Sequence, residues 1–380
     1  MNYELSDEQL QFRDSVVKFA QGELSDHVST SDSEEFPYEK WRSIAEFGLL
    51  GLCVPESYGG AGLDCVSAAN VIDALGYGCL DHGLVHAVCT QNLCAIHVNE
   101  YGSAEQKSSY LEKLCRGDLI AAQAISEPDA GSEAGAIRTM AIESDDGYVL
   151  NGSKIYISNG PVADLVIVYA VTAPEKKVLG RTSCFLVERG SPGFDQAKPD
   201  EKMGLHTLKN GGLFFADCAV PETSLVGRKG AGSAMFSSSM NWERVLLFAS
   251  FAGKLQRILE RSAGFARERK QFGVPISSFQ AISHRIAEMR INLELTRLVI
   301  AKAAWQIDNG KPSALYSSIG KLLASEACKS ACMDAVQIHG GMGYMAEGDL
   351  ERELRDSIAG TIYSGSSEIQ RNIIAKLSGV

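Results

Sequence analysis

The 380-residue chain has no run of eighteen apolar residues, so it offers no transmembrane helix. Positive charge is in the minority: 36 Lys and Arg stand against 47 Asp and Glu, a formal net charge of -11. That balance argues against a broad nucleic-acid surface, which needs a basic stripe, and against adhesion to an anionic membrane. The ten cysteines form no C-x-x-C pair and the seven histidines no H-E-x-x-H, so no catalytic metal is expected. The opening stretch MNYELSDEQLQFRDSVVKFAQ reads as an amphipathic helix and carries acids where a secretory or transit peptide would be basic or acid-poor, so no such leader is expected. Several cysteines lie within apolar runs such as GLLGLCVP, which reads as buried, reduced thiols in a cytoplasmic protein. There is neither an internal repeat nor a low-complexity tract.

What is present falls into three blocks. Over residues 1–120, apolar residues recur at three-four spacing in 6–22, 37–47, 65–78, 82–101 and 103–116, predicting helices. Ser6 with Gln9, and Ser103 with Gln106, have the spacing of capping boxes. Over 121–226 the period shortens: GYVLNG at 147–152, LVIVYAV at 165–171, CFLVE at 184–188 and GGLFFADCAV at 211–220 read as short strands between turns. Such runs suggest an antiparallel barrel or sandwich. Over 227–380 the helical period returns in 233–268, 278–308, 312–340 and 368–377, lengths that suit a bundle. The fold class is α+β.

Charge is scarce where it matters most. Between 231 and 253, Glu243 and Arg244 are the only charged residues, set among Met240, Trp242, Val245, Leu246, Leu247 and Phe248. A buried carboxylate costs several kcal/mol unless it is paired, hydrogen-bonded or neutralised. Two readings follow: an ion pair tying two helices together, or a carboxylate in a dry pocket with its pKa raised toward use as a base. Elsewhere, small residues and hydroxyls in AISEPDAGSE at 124–133 and GSKIYISNG at 152–160 would let a ligand approach the backbone, though a loop and a hairpin end explain them equally. QIHGGMG at 337–343 is a helix stop or a glycine platform, without the strand-to-helix context of a dinucleotide fingerprint. RERKQFG at 267–273 presents Arg269 to a phosphate or is a solvated basic turn.

Taken in order, these stretches resemble the acyl-CoA dehydrogenase flavoproteins over nearly the whole chain. The resemblance rests on SEPDAGSEAG at 126–135, KIYISNG at 154–160, KMGLHTLKNGGLFFADCAVPETSLVG at 202–227 and RERKQFGVPISSFQ at 267–280. QIHGGMGY at 337–344 and RDSIAGTIYSGSSEIQR at 355–371 complete it. It implies an N-terminal helical domain (1–120), a central antiparallel β-barrel domain (121–226) and a C-terminal four-helix bundle (227–380), assembled as a homotetramer. It also implies FAD. Ser126, Gly131, Ser132, Tyr156, Ile157 and Ser158 would line the flavin, where hydroxyl donors suit a ring that gains charge on reduction. Arg269, Gln271, Phe272, Phe279, Gln280, Gln337, Gly340 and Gly341 would hold the pyrophosphate and adenosine, partly across a subunit interface. Ser364, Ser366 and Glu368 would complete the cofactor site.

Most relatives place the catalytic Glu directly after the Tyr of I-Y-x-G-x-S, where this chain has Ser364 after Tyr363. Serine is no base at neutral pH without an activating partner. A minority, similar to isovaleryl- and long-chain-type enzymes, carry the base on the bundle helix just before an Arg, and Asn-Trp-Glu-Arg at 241–244 matches that place. The resemblance therefore assigns Glu243 as base and Arg244 as an orienting group in the substrate pocket. The pairing of S-S-M-x-W-E-R with G-T-I-Y-S-G-x-S-E-I-Q-R is similar to L-prolyl-carrier-protein dehydrogenases, which desaturate proline held as a thioester on a phosphopantetheine arm. Trp242 and Tyr363 could narrow a pocket for a five-membered ring, or be ordinary core residues. The partners implied are an acyl or peptidyl carrier protein and an electron acceptor, either an electron-transfer flavoprotein or oxygen. Three other readings stay open: a short or branched acyl-CoA dehydrogenase, an inactive flavin-binding scaffold, and an oxygen-activating relative.

Overall fold

The structure is a computed structural model describing residues 6–380; the opening MNYEL of the first amphipathic stretch lies outside these residues. Five helices come first: α1 (Asp7–Glu23), α2 (Tyr38–Glu46), α3 (Cys65–Gly78), α4 (His82–Tyr101) and α5 (Ala104–Cys115). Both capping boxes form. Ser6 Oγ accepts from Gln9 N (3.2 Å) while Gln9 Oε1 accepts from Ser6 N (2.9 Å), and Ser103 and Gln106 repeat the exchange. Asp64 and Asp81 cap α3 and α4 one way only, accepting from Ser67 N and Leu84 N and so satisfying backbone donors that have no partner inside the helix. Every residue of α4 from His82 to Val98 is buried, so this helix runs through the protein rather than over it.

Eight strands form the middle layer: β1 (Ala121–Ala124), β2 (Met140–Ser144), β3 (Gly147–Ser158), β4 (Leu165–Val171), β5 (Thr182–Glu188), β6 (Phe194–Gln196), β7 (Asn210–Pro221) and β8 (Leu225–Val226). Their order is β6-β7-β3-β2-β4-β5-β8, with β1 also paired to β4. The sheet departs from the predicted antiparallel barrel in two respects. Its path ends on β6 and β8 without closing, and β4 receives both β1 and β2 in parallel. The physical reason is that β1 (Ala-Ala-Gln-Ala) and β2 are short and find their parallel partner far along the chain, so no hairpin signal marks them. β4 is buried on both faces along its whole length, and β3 and β7 alternate.

The last third holds α6 (Gly232–Glu268), a two-stranded hairpin of β9 (Lys270–Gln271) and β10 (Val274–Pro275), α7 (Gln280–Asp308) and α8 (Ala314–His339). After these come α9 (Gly341–Tyr344), α10 (Leu350–Ala359) and α11 (Ser367–Leu377). α6, α7 and α8 pack on one another, α10 and α11 pack on α8, and α3 packs on α6. The α3–α6 approach requires glycine: a Cβ on Gly253 would sit 1.9 Å from Asp73 O. One hydrophobic core runs from Val16 in α1 to Leu350 in α10, and the sheet keeps another of its own. All ten cysteines are free thiols and nine are buried. Among the described residues no helix is long and apolar enough to cross a membrane, and no group of His, Cys, Asp or Glu could hold a metal ion.

Candidate active site

A cavity of about 430 Å³ lies where α4, the sheet, α6 and the 364–373 segment meet. Two surface hollows are larger, at about 570 and 790 Å³, but only this one gathers residues from all three parts of the chain around a buried carboxylate. Consecutive residues on a helix point about 100° apart, so Glu243 and Arg244 are presented differently. Glu243 faces the cavity, and its Oε1 accepts a hydrogen bond from the Ser364 hydroxyl. Glu243 as a residue is half-buried and lines the cavity, while protein packs densely around its carboxylate. Burial pushes the Glu243 carboxyl above its ordinary range, and the Ser364 hydroxyl, Arg244 and Lys321 pull only part of that back.

Arg244 lies deeper. Its Nε donates to Ser364 O (3.3 Å) and its Nη1 to Ser318 Oγ (3.5 Å), so it braces the turn that carries the serine. Ser364 and Gly365 both have positive φ (57° and 85°), a conformation a serine adopts only when its surroundings impose it. Gln370 Nε2 supplies part of that constraint by donating to Ser364 O (3.0 Å) and Gly365 O (2.9 Å). The direct polar partner of Glu243 is thus a hydroxyl, and the Arg244 side chain turns to the serine's carbonyl rather than pairing two helices.

The sheet side supplies hydroxyls and open backbone. Ser126, Gly131 and Ser132 line the cavity from the loop after β1, and Tyr156, Ile157 and Ser158 from the end of β3. Tyr156 has φ 58° beside a register shift between β3 and β7, which leaves its ring 71% exposed on the wall. Asn210 Nδ2 donates to Ser158 Oγ and Tyr156 O, both at 3.3 Å, holding that edge. A Cβ at Gly131 would meet nothing within 4 Å, so the backbone there is open to a flat group.

Some predicted residues are elsewhere. Trp242 does not line the cavity, because its position on α6 turns it toward α4, where Nε1 donates to Glu100 Oε1 (2.9 Å). Tyr363 does not line it either: the ring is packed behind, against His86 (4.7 Å) and Phe248 (5.7 Å). Ser366 caps α11, accepting from Ile369 N, and Glu368 is exposed in the first turn of that helix. Arg269 caps the end of α6, Gln271, Phe272, Phe279 and Gln280 lie on and after the β9–β10 hairpin, and Gln337, Gly340 and Gly341 around the end of α8; none reaches the cavity within one chain. Phe272 is 94% exposed and meets Phe279 edge-on at 6.1 Å, an apolar tip on the surface.

Other contributors escaped the sequence. His86, Thr90 and Leu93 line the cavity from α4, and the buried His86 imidazole is pushed down to about 3, so it is neutral. Nothing distinguished these residues, since α4 is buried all round and shows no face. Glu127 is the pin beneath the flexible-looking SEPDAGS loop: it accepts from Arg138 N (2.6 Å), Thr139 N (2.9 Å), Thr139 Oγ1 (2.6 Å) and Lys154 Nζ (2.8 Å). Burial opposes its charge, but Lys154 and these donors hold the carboxyl below its ordinary value. Lys154, fully buried, also donates to Ile125 O (3.0 Å), and burial pushes it down to about 8. Its sequence neighbours drew the eye, and the Glu–Lys pair that fixes them did not.

Comparison with known proteins adds to this geometry. Family models described as acyl-CoA dehydrogenase N-terminal, middle and C-terminal domains match residues 6–118, 122–218 and 230–378. An L-prolyl-[peptidyl-carrier protein] dehydrogenase of Pseudomonas fluorescens is 43% identical over 346 residues, covering 90% of this chain and 91% of that protein. Two solved structures superpose closely. The prolyl acyl carrier protein oxidase AnaB gives a TM-score of 0.97 at 39% identity, covering 99% of this chain and 100% of that one. A structure described as PigA with FAD and proline gives 0.96 at 36% identity, covering 100% and 99%.

Proposed function

Because this chain belongs to the acyl-CoA dehydrogenase family, we propose that its cavity binds FAD against the sheet and desaturates an L-prolyl thioester presented by a carrier protein. The chain is an FAD-dependent oxidoreductase of thioesters by family. The observation that carries the finer reading is the Glu243–Ser364 contact: the place after Tyr363 holds a hydrogen-bond donor, and a carboxylate from α6 occupies the cavity in front of it. The names borne by the Pseudomonas relative, AnaB and PigA support proline on a carrier as substrate. The residues present fit the cofactor. Ser126, Ser132 and Ser158 offer hydroxyls along one wall, and the open backbone at Gly131 admits a planar ring.

FAD, when bound, supplies the acceptor for the hydride leaving the β-carbon. The chain's own part is proton transfer and positioning. Glu243, ionised, takes the α-proton, whose acidity comes from the adjacent thioester carbonyl. The Ser364 hydroxyl fixes which carboxylate oxygen is engaged and leaves the other to face the substrate. Arg244 and Gln370 hold the strained turn that aims Ser364. Neutral His86 adds a polar edge to the pocket without a competing charge. The exposed Phe272–Phe279 tip and the residues beside it are read as reaching a neighbouring subunit's cofactor in a homotetramer.

The test is a single-turnover experiment. The FAD-loaded protein is mixed with L-prolyl-carrier protein and separately with butyryl- and isovaleryl-CoA, following flavin bleaching and product mass. Loss of two or four hydrogens from the prolyl thioester is the expected result; bleaching by acyl-CoA alone would move the enzyme to the acyl-CoA branch, and bleaching by none of them to a scaffold.

A second expectation concerns pH. The base works as a carboxylate, and burial raises its folded pKa, so flavin reduction falls as pH drops through a value above the ordinary carboxylate range. Ser364→Ala removes a hydrogen bond to the charged form, an interaction of about 1.5–3 kcal/mol. The acid limb of the rate profile then moves to higher pH, while the plateau rate changes less. A limb that stays in place would show that Ser364 does not act through Glu243.

A further inference from the structure

Beside the cavity three segments touch one another: 131–138, the 174–181 connection between β4 and β5, and 227–233 leading into α6. A Cβ on Gly135 would lie 3.7 Å from Val178 Cγ2, one on Gly230 would lie 3.2 Å from Gly180 O, and Ser233 Oγ donates to Val178 O (2.8 Å). Two of these segments continue inward, with Ser132 and Ala134 lining the cavity from the first and Phe236 from the start of α6. Together they form a rim beside the cavity.

That rim runs against the charge of the molecule. It carries Arg138, Lys176, Lys177, Arg181, Arg228 and Lys229 against only Glu133 and Glu175, in a chain whose net charge is -11. Some of these are already engaged: Lys229 pairs with Glu143 (2.6 Å) and Arg138 with Asp129 (3.4 Å) from outside the rim, and Arg181 Nη2 donates to Ile137 O (3.3 Å) within it. Lys176, Lys177 and Arg228 are exposed, and none makes a salt bridge among the described residues. At the tip, between the lysines and Arg181, Leu179 is 82% exposed and Val178 58%. A bare aliphatic pair ringed by cations has the composition of an interface anchor with a charged border.

We propose that this rim is the docking surface for the carrier protein, with Val178 and Leu179 entering an apolar groove and Lys176, Lys177 and Arg228 facing carboxylates. The proposal rests on the reading of a carrier-bound substrate given above. The occupant is fixed by chemistry: a small acidic domain whose thioester arm must enter the cavity to bring the α-carbon to Glu243. Border charges of this kind act chiefly on encounter rate and salt dependence, not on the chemical step.

The experiment compares the FAD-loaded wild type, a Lys176→Glu/Lys177→Glu/Arg228→Glu variant and Leu179→Ser on two substrates. One is L-prolyl-carrier protein; the other is L-prolyl-pantetheine, the same arm without the protein. The charge-reversed variant is expected to raise KM for the carrier substrate about tenfold or more, with kcat and all constants for prolyl-pantetheine unchanged. Leu179→Ser is expected to act in the same direction at high salt, where the charge effect is screened. Wild-type KM for the carrier substrate should climb with ionic strength, and the charge-reversed variant should lose that climb. An unchanged KM for the carrier substrate overturns the docking surface, and so does an equal loss on both substrates. Wild type that oxidises neither prolyl substrate but bleaches with acyl-CoA overturns the substrate reading, and the docking surface with it.

Discussion

Glu243→Gln binds FAD and folds as the wild type does, yet thioester-driven bleaching of its flavin falls by about a thousandfold, within the range a positioned general base contributes. The argument is local. Glutamine keeps the shape of the side chain, and its carbonyl oxygen still accepts from the Ser364 hydroxyl, so the turn at Ser364–Gly365 retains its support. Removing a buried charge does not cost stability, because burial already worked against the carboxylate. What disappears is the capacity to take a proton. Stopped-flow measurement of flavin absorbance, beside a melting curve and a flavin-to-protein ratio, separates these effects. A glutamine variant within tenfold of wild type would remove Glu243 from the chemistry and leave it a structural acid.

Lys154→Met has the second large effect, on stability and cofactor retention together. The substitution leaves Glu127 buried, with its three contacts to Arg138 and Thr139 but no cation. Breaking a buried pair by removing one partner costs about 3–5 kcal/mol. The loss falls on the loop between β1 and β2, which carries Ser126, Gly131 and Ser132, so FAD should dissociate more readily as the midpoint of urea unfolding drops. Adding Glu127→Gln to Lys154→Met removes the stranded charge and should restore much of the stability. A single variant as stable as the double would show that the pair holds nothing in place.

The ease with which different parts could be read follows from where the information sits. α3, α4 and β4 match their predicted limits because each is framed by local chemistry, an Asp cap or a run of β-branched residues. β1 and β2 were invisible, since what makes them strands is a parallel partner supplied by β4. α10 was passed over although its apolar residues fall on one side, because half of the stretch LERELRDSIA is charged. In the site, Glu243 stood out as a charge in apolar surroundings, a signal that lies in the sequence itself. Its neighbours misled: adjacency along the chain is not adjacency in space, and one residue's step on α6 carries Trp242 to Glu100. Tyr363 likewise stands behind the wall to which Ser364 belongs. The Ser364 hydroxyl, expected beside the cofactor, lines the cavity and donates to Glu243, a contact the sequence did not announce. Glu127 and Lys154 are 27 residues apart and announce nothing until the fold joins them.

The cavity is lined by members of a core shared by helices from both ends of the chain and of a core belonging to the sheet, and beside it a third core joins α4, α5 and α6 to the sheet. Its walls therefore exist only when both blocks have folded and met. An occupant touching Ser126 on one side and Leu247 on the other binds the joined state and neither block alone. By mass action its affinity becomes a cohesive free energy between them. Cofactor supply then adds to the melting cooperativity that the shared third core already gives: the filled chain is held more firmly to losing sheet and helices together.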